Sequence, residues 1–237
     1  MPTLSGLRFR VGVIWDALTR PFSQLVTFPV AGLGVFDFLS PLVPGLPEVP
    51  PDLASAAHPE AGRQGVVESG EAEVARTLYI LARLLNATRV AEVGVFRGYT
   101  TQFLAAALAP AGGVLHLIDA SESALAEASG RAGGYAGCRV ERHAGLSTDA
   151  SILAAVPSDL DLVFLDADHS EPGVVAELSG WMPKVRAGGI LAIHDSVNIR
   201  GVCRAVNRFT AGHPALTVAT SRGSGLTLFR TAAEARR

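Results

Sequence analysis

The stretch RVAEVGVFRGYTTQFLAAALAPAGGVLHLID, residues 89–119, reads as one βαβ unit. An apolar strand, Val90 to Val93, runs into Gly94-x-x-x-Gly98. A helix follows, and a second apolar strand, Val114 to Ile118, ends on Asp119. In open parallel sheets, ligands bind outside the carboxyl ends of the strands. Gly94 and Gly98 have no β-carbon, so the backbone can turn tightly and approach a ligand closely. An acidic residue at the next strand end suits hydrogen bonding to ribose hydroxyls. The pattern lacks the second glycine of G-x-G-x-x-G, which a dinucleotide's pyrophosphate requires at the helix N-terminus. Glu92 stands just before the turn, where a carboxylate is a poor neighbour for a pyrophosphate and a good one for a cationic ligand. An NAD-type oxidoreductase is therefore disfavoured.

Working outward, apolar strands alternate with helices, which implies a doubly wound α/β sheet with helices on both faces. A helix is expected over about 70–86, where Val74, Leu78, Leu81 and Leu85 make one apolar face. Further helices are expected near 121–128, 148–155, 172–184 and 201–210. Further strands are expected at 139–143, 162–165 and 190–193. The last two strands, 216–220 and 225–230, are expected to pair antiparallel at the sheet edge, which a mostly parallel sheet tolerates. Residues 40–65, rich in Pro, Ala and Gly, read as a linker. The chain thus divides into an N-terminal helical cap with a Pro-rich linker, 1–65, and a Rossmann-like domain, 66–237.

With 237 residues the chain can bury a sizeable core unaided. Its net charge of −2 offers no basic surface for nucleic acid. Lys184 is the single lysine, so lysine is nearly absent as a source of catalytic base. Cys138 and Cys203 form no metal-binding spacing, and isolated cysteines fit a reducing cytoplasm. The apolar run Leu25 to Leu46 is broken by Pro29, Pro41 and Pro44 and carries Asp37, which argues against a membrane span. Asp16 interrupts the first apolar run, which argues against a signal peptide. Short helices that cap the acceptor pocket, or that join two subunits in a homodimer, are the expected role of this segment.

Polar residues gather at two more strand ends: Asp166-Ala-Asp168-His169 and His194-Asp195. Strand ends on one side of a parallel sheet share one rim, so these groups can converge with Gly94 and Asp119. Carboxylate and imidazole suit a divalent ion. One at a time, a strand-end Asp is more often a helix cap, and a lone His a satisfied rim residue.

The pattern E-x-G-x-x-x-G, followed by VFLDADH and RAGGILAIHD, resembles the class I S-adenosylmethionine-dependent methyltransferases. Within them it is similar to the cation-dependent O-methyltransferases, the catechol and caffeoyl-CoA type, and to the bacterial sugar O-methyltransferases of natural products. The resemblance covers about residues 66–232. It implies that Glu92, Gly94, Gly98 and Thr100 line the methionine part of S-adenosylmethionine. It places Asp119 on the ribose and His143 and Ala144 near the adenine. It assigns Asp166, His194 and Asp195 to magnesium or another divalent cation, with Asp168 an alternative to His194. His169, or Asp168, takes the place of the catalytic base. The later pair is His-Asp here, where the family usually has Asp-Asn or Asp-Asp. The implied reaction is methyl transfer to a hydroxyl of a small molecule. A non-catalytic cofactor-binding scaffold is the alternative.

Overall fold

A computed structural model describes residues 24–27, 45–56, 68–213, 215–220 and 224–232. Its elements, in chain order, are β1 (Gln24–Thr27), α1 (Pro51–Ala54), α2 (Glu68–Leu84), β2 (Arg89–Val93), α3 (Tyr99–Leu108), β3 (Val114–Asp119), α4 (Glu122–Ala132) and β4 (Arg139–Ala144). They continue with α5 (Ala150–Ala155), β5 (Leu160–Leu165), α6 (Glu171–Trp181), β6 (Val185–Ile193), α7 (Arg200–Phe209), β7 (Ala215–Ala219) and β8 (Gly225–Arg230).

The strands form one sheet in the order β1-β7-β8-β6-β5-β2-β3-β4. Only β8 runs antiparallel to its neighbours β6 and β7. Alternation along the strands splits the core in two. Val90, Leu115, Leu117, Leu162 and Phe164 face one way and pack with residues of α2, α3 and α4, among them Leu78, Phe103 and Leu125. Ala91, Val93, Ile118, Val163 and Leu165 face the other way, toward Ile152, Val174, Leu178, Trp181 and Val206 of α5, α6 and α7. All six residues of β5 are buried, as expected for a central parallel strand.

Three expectations are refined. The C-terminal strands do pair antiparallel, but β8 inserts between β6 and β7, and β7 is covered in turn by β1 in parallel register. Residues 24–27 are thus a strand and not part of a helix; they carry Val26 and Thr27, β-branched residues that fit a pleated strand. The remaining N-terminal residues up to 44, where the helical cap was placed, lie outside the described residues. Within the Pro-rich linker, Pro51 opens a short helix and Leu53 is buried in the core, so part of that segment is docked.

The third refinement concerns 185–189. The strand expected at 190–193 begins earlier, at Val185, and the glycines of Ala187-Gly-Gly189 interrupt it. The β5–β6 register shifts between Leu160 and Leu162, and Gly188 has φ +74°. This bulge turns Arg186 onto Asp161 at 2.5 Å, while the other oxygen of Asp161 accepts from the amides of Thr88 and Arg89. A buried carboxylate fully engaged in this way ties the starts of β2, β5 and β6 together.

Candidate active site

Because β2 to β6 are parallel, their carboxyl ends share one rim. Chain direction across the sheet reverses between β5 and β2, and a crevice opens at that switch point. It is a cavity of about 760 Å³, within the usual size of small-molecule sites. Gly94, Phe96, Asp119, Gly145–Thr148, Asp166, Asp168 and His169 line it.

Gly94 has φ +84°, and its amide donates to the Ile118 carbonyl at 2.8 Å. A β-carbon there would stand 2.6 Å from the carbonyl carbon of Asp166 and 2.9 Å from Ala167 Cα. Glycine is needed at this point for close approach of two strand ends. Gly98 has a different task. Its missing β-carbon lets the start of α3 approach Ala128 of α4, where a β-carbon would meet Ala128 Cα at 2.5 Å.

Asp119 organises the loop between the two glycines. Its Oδ2 accepts from the amides of Val95 at 3.0 Å and Phe96 at 3.4 Å, and its Oδ1 accepts from Ser121 at 2.8 Å. Phe96 is held at φ +44°, an uncommon conformation for a bulky residue. It is 61% exposed, and Leu146 across the cavity is 60% exposed. These are two of the three exposed large hydrophobics among the described residues, and both stand at the mouth of this cavity. Apolar side chains left in water around a concave site are ready to contact a ligand.

Glu92, Thr100, Gly98, His143 and Ala144 lie outside the cavity lining. Glu92 is buried beneath the rim. Burial, with the charges of Asp166 and Asp119, pushes its carboxyl from the ordinary 4.5 up to about 8. The unfolded chain therefore gives up this proton at lower pH than the folded one. The stability present below about 4.5 is lost as pH rises toward about 8. Glu92→Gln should flatten the fall of Tm between these pH values; parallel melting profiles for the two proteins would contradict this placement of the charge.

Beyond the end of β4, the cavity wall is made by Gly145–Thr148. His143 turns to His116, its Nε2 lying 3.1 Å from His116 Nδ1. The loop is pinned from α6. Ser147 donates to Glu177 at 2.5 Å, and Trp181 Nε1 donates to the Ser147 carbonyl at 3.0 Å. Burial raises the Glu177 carboxyl to about 7. The sequence carried a signal for Glu177. It is a lone carboxylate on the face formed by Val174, Leu178 and Trp181, all buried.

At the other end of the cavity, Asp166, His169 and Asp195 each offer a ligating atom within 4.8 Å of the others. His169 Nε2 lies 3.2 Å from Asp195 Oδ2 and 3.7 Å from Asp166 Oδ1. These two carboxylates raise the imidazole to about 10, so it is protonated at neutral pH. Buried His194 brings Nδ1 to 3.2 Å from Asp166 Oδ1 and Nε2 to 3.9 Å from Asp195 Oδ1. Asp195 adopts φ +54°, a strained conformation that Asp tolerates better than most residues. Asp168 points elsewhere. Its Oδ1 accepts from the Ser170 amide at 2.7 Å, and it packs against Gly173 in the first turn of α6, the geometry of a loop anchor.

A family model described as "Methyltransferase domain" matches residues 91–196. No curated protein matches the chain. Among solved structures, the chain is similar to TomG from Streptomyces achromogenes, an O-methyltransferase involved in tomaymycin synthesis, in complex with S-adenosylmethionine. The identity is 25% and the TM-score 0.61, over 82% of this chain and 94% of that one. The O-methyltransferase from Bacillus cereus, bound to S-adenosylhomocysteine, is 22% identical with a TM-score of 0.56, over 72% of this chain and 83% of that one, a likeness of fold. The matched residues begin within β2 and end just past Asp195, so they span every strand end described above. Residues 91–196 thus match a methyltransferase domain, and the likeness to TomG supports an S-adenosylmethionine-dependent methyltransferase.

Proposed function

We propose that this methyltransferase acts on a hydroxyl of a small molecule, in natural-product metabolism, with help from a divalent cation. The observation that carries the proposal is the gathering of Asp166, His169 and Asp195 at the rim of the cavity that Gly94 and Asp119 also line. Two carboxylates and an imidazole form a donor set that fits such an ion. Asp166 and Asp195 would hold it, with His194 as third protein ligand, which leaves His169 Nε2 to act as the base. The similarity to TomG supports a small-molecule acceptor.

In this reading Asp119 receives the ribose and Gly94 lets the methionine part approach the strand end. Glu92, kept largely protonated by burial, would be drawn toward its ionised form by a sulfonium bound above it, and Phe96 and Leu146 flank the flat adenine. The acceptor oxygen attacks the methyl carbon in line with the sulfur. The C–O bond forms as the C–S bond breaks, its electron pair staying on sulfur, and the hydroxyl proton leaves to a base. A divalent cation held by Asp166 and Asp195 would lower the pKa of the neighbouring hydroxyl and offset the two charges that keep His169 protonated. His169 then accepts the proton at Nε2, a role worth about 10²–10⁴ in rate. Asp168 shapes the His169 loop through its bond to Ser170. Residues 1–65, with β1 at the sheet edge, would cover the acceptor or join a second subunit. Among the described residues, no helix is long and apolar enough to cross a membrane.

The test is a panel of hydroxylated acceptors with labelled methyl donor, run in EDTA and again after magnesium is restored. Activity should vanish in the chelator and return with the metal, and His169→Ala should lower turnover without weakening cofactor binding. Full activity in EDTA would remove the cation from the mechanism. Cofactor binding with no transfer to any acceptor would favour the scaffold reading.

A further inference from the structure

A second cluster of ligating side chains lies away from the cavity, on β3 and the edge strand β4. His116 of β3 stands in register with Glu141, and His143 lies two residues further along β4. A period of two puts Glu141 and His143 on the same face as His116. One ligating atom from each lies within 4.8 Å of the others. His116 Nδ1 is 3.1 Å from His143 Nε2 and 3.4 Å from Glu141 Oε2. These separations suit a shared ion: ligands at bonds of about 2.0–2.1 Å in a tetrahedral site stand about 3.3 Å apart.

We propose that His116, Glu141 and His143 form a binding site for a zinc-class divalent cation that cross-links β3 to the edge strand β4. Three protein ligands leave a fourth position for water. His116 is buried, and burial lowers both imidazoles below their ordinary range, so each ring is neutral and able to bind at neutral pH. The proton now shared between the two rings moves to the far nitrogen of its own ring, so binding requires no net loss of a proton from either imidazole. Arg139 holds Glu141 Oε1 at 2.8 Å, which turns Oε2 toward His116. That arginine also offsets the carboxylate's charge. The site therefore favours a borderline ion that takes nitrogen ligands over a hard ion such as magnesium. His143, expected near the adenine, turns its ring toward His116.

The site is independent of the carboxylates at Asp166 and Asp195, and its test has no need of methyl transfer. The full chain, stripped with EDTA, is titrated with Co²⁺ and followed by its visible d–d absorption, then competed with Zn²⁺. One equivalent should bind in a four-coordinate spectrum, and Zn²⁺ should displace it and raise Tm. His143→Gln and Glu141→Gln should each weaken Zn²⁺ binding at least tenfold and abolish the Tm rise, whereas Asp166→Asn should leave both intact. Glu141 is partly exposed, so its variant keeps the test valid if removing an imidazole lowers stability. Zn²⁺ binding by Glu141→Gln and His143→Gln equal to wild type, or its loss in Asp166→Asn alone, would overturn the proposal.

Discussion

Asp119→Ala is expected to abolish binding of S-adenosylmethionine that calorimetry detects in the wild-type protein. The side chain does two things at once. It accepts three backbone hydrogen bonds, from Val95, Phe96 and Ser121, which fix the loop between Gly94 and Gly98. It also faces the cavity, where its remaining lone pairs are open to ribose hydroxyls. Hydrogen bonds to a charged group are worth about 1.5–3 kcal/mol each. Loss of two ribose bonds alone would weaken binding by about two orders of magnitude or more, since about 1.4 kcal/mol is tenfold. Loop disorder adds to this. Asp119→Asn keeps acceptor capacity at one oxygen and should fall between the two. Unchanged affinity in the alanine variant would refute the placement of the ribose.

Gly94→Ala should be among the most damaging single methyl additions at the described glycines. Two penalties coincide there. An L-residue at φ +84° bears strain of about 1–3 kcal/mol. The new β-carbon would also enter the backbone of Asp166 and Ala167, where over-packing costs about 1–3 kcal/mol and the contact cannot be relieved by a rotamer change. The strand ends must separate, and Asp166 is carried away from Asp195 and His169. Gly112→Ala is the matched control. Gly112 has φ +65°, but its added β-carbon would meet nothing within 4 Å, so it carries the strain without the clash. Melting temperature and cofactor affinity measured for both variants separate the two terms. Equal losses in the two would show that backbone strain alone is responsible.

The two glycines illustrate what a motif can and cannot say. Gly94-x-x-x-Gly98 reads as one ligand-binding device, yet only Gly94 lines the cavity. Gly98 serves helix packing against Ala128, a partner 30 positions on, whose proximity depends on how α3 and α4 lie together. The same limit applies to Asp166-Ala-Asp168-His169. Three of its four residues carry polar chemistry, but the turn into α6 directs Asp166 and His169 to Asp195 and folds Asp168 back onto Ser170.

The sequence by itself determined the βαβ order, the position of each central strand within a few residues and the identity of the rim. It did so because hydrophobic period and strand-ending polar residues are local signals, and because parallel strands place their carboxyl ends on one side. Tertiary structure alone decided three things. It set β8 between β6 and β7 with β1 outside them, since strand order depends on long-range pairing. It set the protonation of His169 and Glu92, since a pKa depends on burial and on charges brought near from other elements. It set the orientation of His143 toward His116, since which neighbour an imidazole meets is fixed by the register of β3 against β4 and by no feature of its own segment.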